Sequence, residues 1–184
     1  AASKVFRWQG VAKGGQMKSR YKLRDYIISV GVGGRKNTDR LIEAYEHAKV
    51  GKDLTLVLVG AGEVKERRGV RHLGMVDDNE LAVLLSGAKA FVSPSLYEGF
   101  GLTILKAFGC RTPVVTSNLS SMPEIAGGAA VLVDPYSVSS IAEGIKKAIS
   151  GPKALIKKGL QRIGDFSWEK AALETINVYK ESSK

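Results

Sequence analysis

The sequence predicts a parallel α/β sheet covered by helices on both faces, and three observations lead there. Short apolar runs end in glycine or proline: YIISVG, LTLVLVG and KAFVSP. They are nearly continuous in hydrophobicity instead of alternating, which suits strands buried on both faces. Between them lie stretches with the amphipathic period of a helix, so strand and helix alternate along the chain. At 184 residues the chain is long enough for one domain with a sizeable core and short for two.

Taken in order, residues 1–24 carry glycines and scattered cations without a sustained period and are expected to form a lead-in or linker. The single domain is expected over residues 25–184. Tyr26 to Gly31 reads as the first strand and Leu54 to Gly60 as the second, with Leu41, Ile42, Tyr45 and Ala48 on one helical face between them; this is a βαβ unit. VRHL is a weak third strand. Asp77, with Glu80 three residues on, has the pattern of a capping box that opens a helix through Leu81, Leu84 and Leu85. KAFVSP is a strand stopped by Pro94, TILKAFGC a helix ended near Gly109, and TPVVTS a strand with Pro113 at its first position, where no ladder donor is lost. AAVLVDP is one more strand, followed by helices in SSIAEGIKKAIS and PKALIKKGLQRI. Ser167 is expected to cap a last amphipathic helix, SWEKAALETINVYKE. About six strands and about seven helices make a doubly wound sheet, where ligands bind beyond the carboxyl ends of the strands near a topological switch point. The loops after Val30, Val59, Val92 and Thr116 are therefore the ones to examine.

Composition bounds the function. Hydrophobic residues at 44% and charged residues at 25% fit an ordinary soluble globular protein. No apolar run approaches the roughly 18 residues of a membrane span. Lys4, Arg7 and Lys13 interrupt the N-terminus, which lacks the apolar core of a secretory signal, so a cytoplasmic location is expected. The single cysteine, Cys110, excludes an internal disulfide and a multi-thiolate metal cluster within the chain. His47 and His72 are isolated and read as structural, and no metal is expected. Lysine and arginine outnumber aspartate and glutamate 28 to 18, for a net charge of +10. That charge points to an anionic partner: nucleic acid, an acidic membrane surface or a phosphorylated small molecule. Aromatic and basic residues do not interleave into a base-stacking platform, so nucleic acid is not the expected partner. Peripheral docking on the inner face of an anionic membrane is compatible with the charge.

Two loops carry chemistry. GVGGRKN follows the first strand: Gly31, Gly33 and Gly34, then Arg35 and Lys36 just before a helix that Asn37 or Thr38 is expected to cap. Flexible backbone, two cations and a helix N-terminus together suit an anion. The spacing matches neither GxGxxG nor GxxxxGK[ST]. The second loop is SPSLYEGFGLTILKAFGC, in which Gly99 and Gly101 would let the backbone approach a ligand. A helix starting near Leu102 or Thr103 would aim its first amides into the same space and favour a phosphate. Glu98 is a poor neighbour for phosphate and a good acceptor for hydroxyls, so the loop suits a ligand with a phosphate at one end and a polyol nearby, as in a nucleotide sugar. The competing local reading is that Glu98 caps the helix.

The run SPSLYEGFGLTILKAFGCRTPVVTSNLSSMPEIAGGAAVLVDP resembles the donor-binding half of a group 1 glycosyltransferase, the retaining, GT-B-fold enzymes of family 4. SVGVGGRKNTDRLIEAYEHAK, VLVGAGE, HLGMVDDNELAVLLSGAKAFVSPS and FSWEKAALETINVYKE are similar to that family in the right order, over residues 25–181. The resemblance implies a Rossmann-like carboxyl-terminal domain that binds the sugar nucleotide, with the acceptor held by a separate N-terminal domain. It implies that Glu98 contacts the donor sugar, that Gly99, Phe100, Gly101 and Leu102 hold the diphosphate, and that Arg35 and Lys36, in the loop of Gly33 and Gly34, neutralise the leaving nucleoside diphosphate. Gly74, Met75 and Val76 would border the nucleobase. The donor would be a UDP-, GDP- or ADP-linked hexose such as mannose or glucose, with a glycan or lipid-linked saccharide as acceptor and no cofactor.

Two positions depart from the family pattern. Val32 stands where a further arginine is common. Lys106 stands where a second glutamate usually accepts the ribose hydroxyls, and an ammonium offers donors only. Lys106 could reach the diphosphate, another residue could hold the ribose, Lys106 could be simply exposed, or the domain could be a degenerate, non-catalytic relative serving as a nucleotide-binding or scaffolding unit.

Overall fold

The computed structural model describes residues 5–10, 13, 17, 19–51, 53–65 and 67–182. Six parallel strands form one sheet: β1 (Asp25–Val30), β2 (Leu54–Val59), β3 (Val70–His72), β4 (Phe91–Ser93), β5 (Val114–Ser117) and β6 (Val131–Val133). Their order is β3-β2-β1-β4-β5-β6. The order reverses between β1 and β4, and there the crevice for a ligand opens at the carboxyl ends. From Thr38 onward, the helices among the described residues are α1 (Thr38–Ala48), α2 (Asp78–Gly87), α3 (Leu102–Gly109), α4 (Met122–Ala126), α5 (Val138–Ser150), α6 (Pro152–Arg162) and α7 (Trp168–Ser182), with a 3₁₀ turn at Ile163–Asp165.

The continuous apolar runs are explained by a core on each side of the sheet. Tyr26, Ile28, Val57 and Phe91 point to the face covered by α2, α3 and α4, through Leu81, Leu84, Leu85, Ile104, Leu105, Phe108, Met122 and Ile125. Ile27, Leu56, Leu58 and Val92 point to the opposite face, covered by α1 and α5 through Leu41, Ile42, Ile141 and Ile145. Successive strand residues thus belong to different cores, as the two-residue period requires.

Several local expectations carry over. Asp77 caps α2, its Oδ1 accepting from the Glu80 amide at 2.9 Å, and Ser167 Oγ accepts from the Lys170 amide at 2.9 Å at the start of α7. Three differ. Pro113 lies one residue before β5, where its carbonyl accepts from the Phe91 amide at 2.8 Å. The short helix α4 has no counterpart in the periodicity, because five residues are too few to show one. The stretch read as a lead-in is not detached: Phe6 and Leu23 are buried in the first core, and the described residues Ser19 and Arg20 are helical.

Burial also sets a pH response. It pushes the Cys110 thiol up from 9.0 to about 11 and raises the Tyr26 phenol, whose hydroxyl donates to the Leu84 carbonyl at 2.7 Å. Tyr21 and Tyr45 are raised too, by desolvation first and then by Glu80 and Glu46 respectively. These groups stay neutral in the folded chain while the unfolded chain would ionise, so their contribution is whole below about pH 9 and is lost as pH rises toward and past 11. The expected result is a melting temperature that falls between pH 8 and 10.5, less steeply in Tyr26→Phe. A flat profile would contradict it.

Candidate functional site

The loops from β1 to α1 and from β4 to α3 meet at the switch point. Gly31, at φ +91°, lets the chain turn sharply out of β1, and its missing Cβ leaves room for the Lys36 stem; a Cβ there would lie 2.5 Å from Lys36 Cε. Lys36 crosses this gap and donates from Nζ to Glu98 Oε1 at 2.6 Å. Arg35 approaches the other oxygen, Oε2, at 3.8 Å. The Glu98 side chain is 14% exposed and that of Lys36 21%, against 59% for Arg35. The carboxylate is therefore partly withdrawn from water between two cations, with one held closely and one at the rim.

Asn37 fixes this arrangement from behind. It adopts left-handed backbone angles, φ 59° and ψ 38°, and is buried. Its Nδ2 donates to the carbonyls of Pro94 at 3.0 Å and Pro135 at 2.6 Å, while Oδ1 accepts from Arg40 at 2.7 Å. The side chain thus ties together three loops at the sheet's carboxyl edge and does not cap α1. Thr38 does not cap it either: its hydroxyl exchanges hydrogen bonds with Gly33, accepting from the amide at 3.0 Å and donating to the carbonyl at 3.3 Å. The Leu96 amide donates to the Arg35 carbonyl at 3.0 Å, a further link between the two loops.

Glu98 does not cap α3, which settles the competing local reading. The N-cap is Gly101, at φ +99°, with no side-chain hydrogen bond. With no side-chain cap, the first turn of α3 keeps backbone amides without a capping partner, apart from that of Ile104, which donates to the Gly101 carbonyl at 2.9 Å. Gly101, Leu102, Thr103 and Ile104 line a cleft of about 250 Å³ together with Lys36, Ser93, Glu98 and Phe100. The backbone of this loop is held independently of its side chains: the Glu98 carbonyl accepts from Ser120 Oγ at 2.7 Å and Ser121 Oγ at 2.8 Å, and the Phe100 carbonyl accepts from Ser121 Oγ at 3.0 Å.

Other expected residues fall elsewhere. Gly99 has open space around its Cβ position and no positive φ, so the loop needs glycine at 101 and not at 99. Gly33 and Gly34 line a different cleft, of about 440 Å³, with Thr38, Asp39 and Glu63. Gly74, Met75 and Val76 form the loop from β3 into α2, with Met75 well exposed, and none of them lines the Glu98 cleft. His72 is structural, its Nε2 lying 2.8 Å from the Gly60 carbonyl oxygen. A larger cleft, about 880 Å³, runs along edge strand β3 and is lined by Lys65, Arg67, Arg68 and Arg71. Among the described residues its lining holds no carboxylate and no helix N-terminus, and volume alone does not make it a site for this chemistry. Among the described residues no group of histidine, cysteine, aspartate and glutamate could hold a metal.

Lys106 is neither simply exposed nor aimed at the α3 amides. Its Nζ donates to Asp78 Oδ1 at 3.2 Å and sits 4.1 Å from the centre of the Phe6 ring. Neither partner could be inferred locally, since they lie 28 and 100 residues away.

With this geometry established, comparison with known proteins decides the family. The family described as glycosyl transferases group 1 matches residues 17–162. The chain belongs to the group 1 glycosyl transferases. Its fold is the Rossmann-like carboxyl-terminal domain of their GT-B architecture. Within that family it is 36% identical over 173 residues to O-antigen chain mannosyltransferase B of Escherichia coli, covering 84% of this chain and 45% of that protein. It is 30% identical over 186 residues to an MMP alpha-(1->4)-mannosyltransferase of Mycolicibacterium hassiacum, covering 88% and 44%. The chain thus spans less than half the length of these relatives. Solved structures with the same fold include sucrose-phosphate synthase of Thermosynechococcus elongatus, with TM-score 0.77, 23% identity and coverage of 98% of this chain and 51% of that one. HepE of Anabaena in complex with UDP-glucose has TM-score 0.78, 18% identity and coverage of 97% and 55%.

Within the candidate site, Gly31 combines a positive φ with a close side-chain neighbour, Lys36. Gly31→Ala places a side chain at positive φ, at a cost of about 1–3 kcal/mol, and forces Lys36 away from Glu98. At about 2–4 °C per kcal/mol for a domain of this size, the melting temperature should fall by several degrees. An unchanged melting temperature would show that the loop can relax around the methyl group.

Proposed function

We propose that this domain binds a nucleoside-diphosphate hexose and, within a complete two-domain enzyme, transfers the hexose to a glycan or lipid-linked acceptor with retention of anomeric configuration. One observation carries the reading: Lys36, Arg35 and Glu98 converge beside the uncapped first turn of α3 at the switch point. The amides and the two cations suit the diphosphate, and Glu98 suits the sugar hydroxyls. As the bond from the anomeric carbon to the diphosphate oxygen breaks, negative charge builds on the departing nucleoside diphosphate, and Lys36 and Arg35 are in place to stabilise it without a metal. When donor binds, the cations would exchange part of their contact with Glu98 for phosphate, freeing carboxylate oxygens for hydroxyls.

Two relatives named as mannosyltransferases favour mannose among the hexoses. The non-catalytic alternative drew on Lys106, and the Asp78 and Phe6 contacts give that cation a structural role compatible with a working site. The test uses the complete protein, incubated with glycan and lipid-linked saccharide acceptors and in turn with mannosyl and glucosyl nucleotides, with release of nucleoside diphosphate and the anomeric configuration of the product followed by NMR. Retained configuration with a mannosyl donor is expected. Inversion, or no release with any donor, would overturn the proposal.

A further inference from the structure

We infer that Asp78 is the acceptor for the donor's ribose hydroxyls and that Lys106 is its positioning residue; this rests on the reading of the Glu98 cleft as a nucleotide-sugar site. Helices α2 and α3 lie side by side on one face of the sheet, packed through Leu81, Leu84, Ile104 and Leu105, and each starts at the sheet's carboxyl edge. Lys106 lies one turn beyond Leu102 on the same side of α3, an advance of roughly 6 Å along the axis. A diphosphate seated on the first amides of α3, with its sugar toward Glu98, sends its nucleoside the other way, toward α2. The ribose then falls beside Lys106, where a vicinal diol needs acceptors and an ammonium has none.

The structure supplies the acceptor from the neighbouring helix. Asp78, the first residue of α2, brings Oδ1 to 3.2 Å from Lys106 Nζ, while its side chain remains 63% exposed against 25% for Lys106. The ammonium, seated over the Phe6 ring at 4.1 Å, is thus the inner member of the pair and the carboxylate the outer one. The other acids in the first turn of α2 are committed. Asp77 caps the helix through the Glu80 amide, and Glu80 takes the Tyr21 hydroxyl at 2.6 Å and Arg20 at 3.0 Å. Asp78 Oδ2 takes no hydrogen bond among the described residues. The cation that stands where an acceptor is needed therefore braces an acceptor reaching in from the next helix.

The test is calorimetric titration of the chain with UDP, GDP and ADP and with their 2′-deoxy forms. The wild type should prefer one ribonucleotide over its deoxy form by roughly tenfold or more, as expected for a hydrogen bond to a charged group. Asp78→Ala should remove most of that preference by weakening the ribonucleotide alone, and Lys106→Met should reduce it in part by loosening the brace, a pattern that a general loss of structure would not produce. If Asp78→Ala weakens both forms equally, or neither, Asp78 is not the ribose acceptor even though the cleft binds nucleotide. If the wild type binds no nucleoside diphosphate, the donor-site reading itself fails and this inference with it.

Discussion

Glu98→Ala is expected to lower sugar transfer by the complete enzyme by about 10²-fold or more while leaving the affinity for a nucleoside diphosphate without sugar nearly unchanged. The carboxylate is assigned to the hexose, where it supplies charge-assisted hydrogen bonds and fixes the position of the anomeric carbon. It is not assigned to the phosphates. Folding should survive the change, because the loop's backbone is held by Ser120 and Ser121 through the carbonyls of Glu98 and Phe100, which the substitution does not touch. The stability cost is that of taking a largely withdrawn carboxylate from between two cations, about 1–3 kcal/mol. Kinetics with intact donor, titration with the bare diphosphate and a melting curve separate these effects. Equal transfer in the variant would remove Glu98 from the site.

Lys36→Ala should behave differently, and the contrast carries the information. Lys36 is assigned to the departing diphosphate, so its loss should weaken both the nucleotide sugar and the bare nucleoside diphosphate and reduce turnover by ~10²–10³-fold, the range for removing one preorganised stabiliser of developing charge. Arg35, 3.8 Å from Glu98 and more exposed, can move toward the vacated position, so Lys36→Arg should recover part of the loss. If Lys36→Ala slowed transfer without altering affinity for the bare diphosphate, the cation would be acting on Glu98 alone and the assignment to the leaving group would be wrong.

The fold was legible because its signals are local. Glycine-bounded apolar runs marked the strands, and Asp77 and Ser167 marked helix starts by side-chain caps that reach three residues. The candidate site is legible in outline for the same reason: a basic pair and a glutamate each lie in a loop that the alternation of elements places at the carboxyl edge. That Lys36 and Glu98 touch is a contact across 62 residues, and local pattern does not specify it. Asn37 stands at the N-cap position of α1, as its residue type suggests, but its side chain makes no capping hydrogen bond; its left-handed backbone and bonds to Pro94 and Pro135 follow from three loops meeting at once. Ser120 and Ser121, which hold the Glu98 loop, carry no local signal of that role, since their partners lie more than 20 residues away. Lys106 stands out as a departure from the family pattern, and its contacts, Asp78 and Phe6, lie on other elements.

The central claim, that Arg35, Lys36 and Glu98 with the first turn of α3 form a donor site, is tested most directly by titrating the chain with UDP, GDP and ADP, as wild type and as Arg35→Ala/Lys36→Ala. One nucleoside diphosphate should bind the wild type, and the double variant should lose at least tenfold in affinity, since two charge-assisted contacts to phosphate are removed. Absence of binding to the wild type, or equal binding to both, would contradict the account.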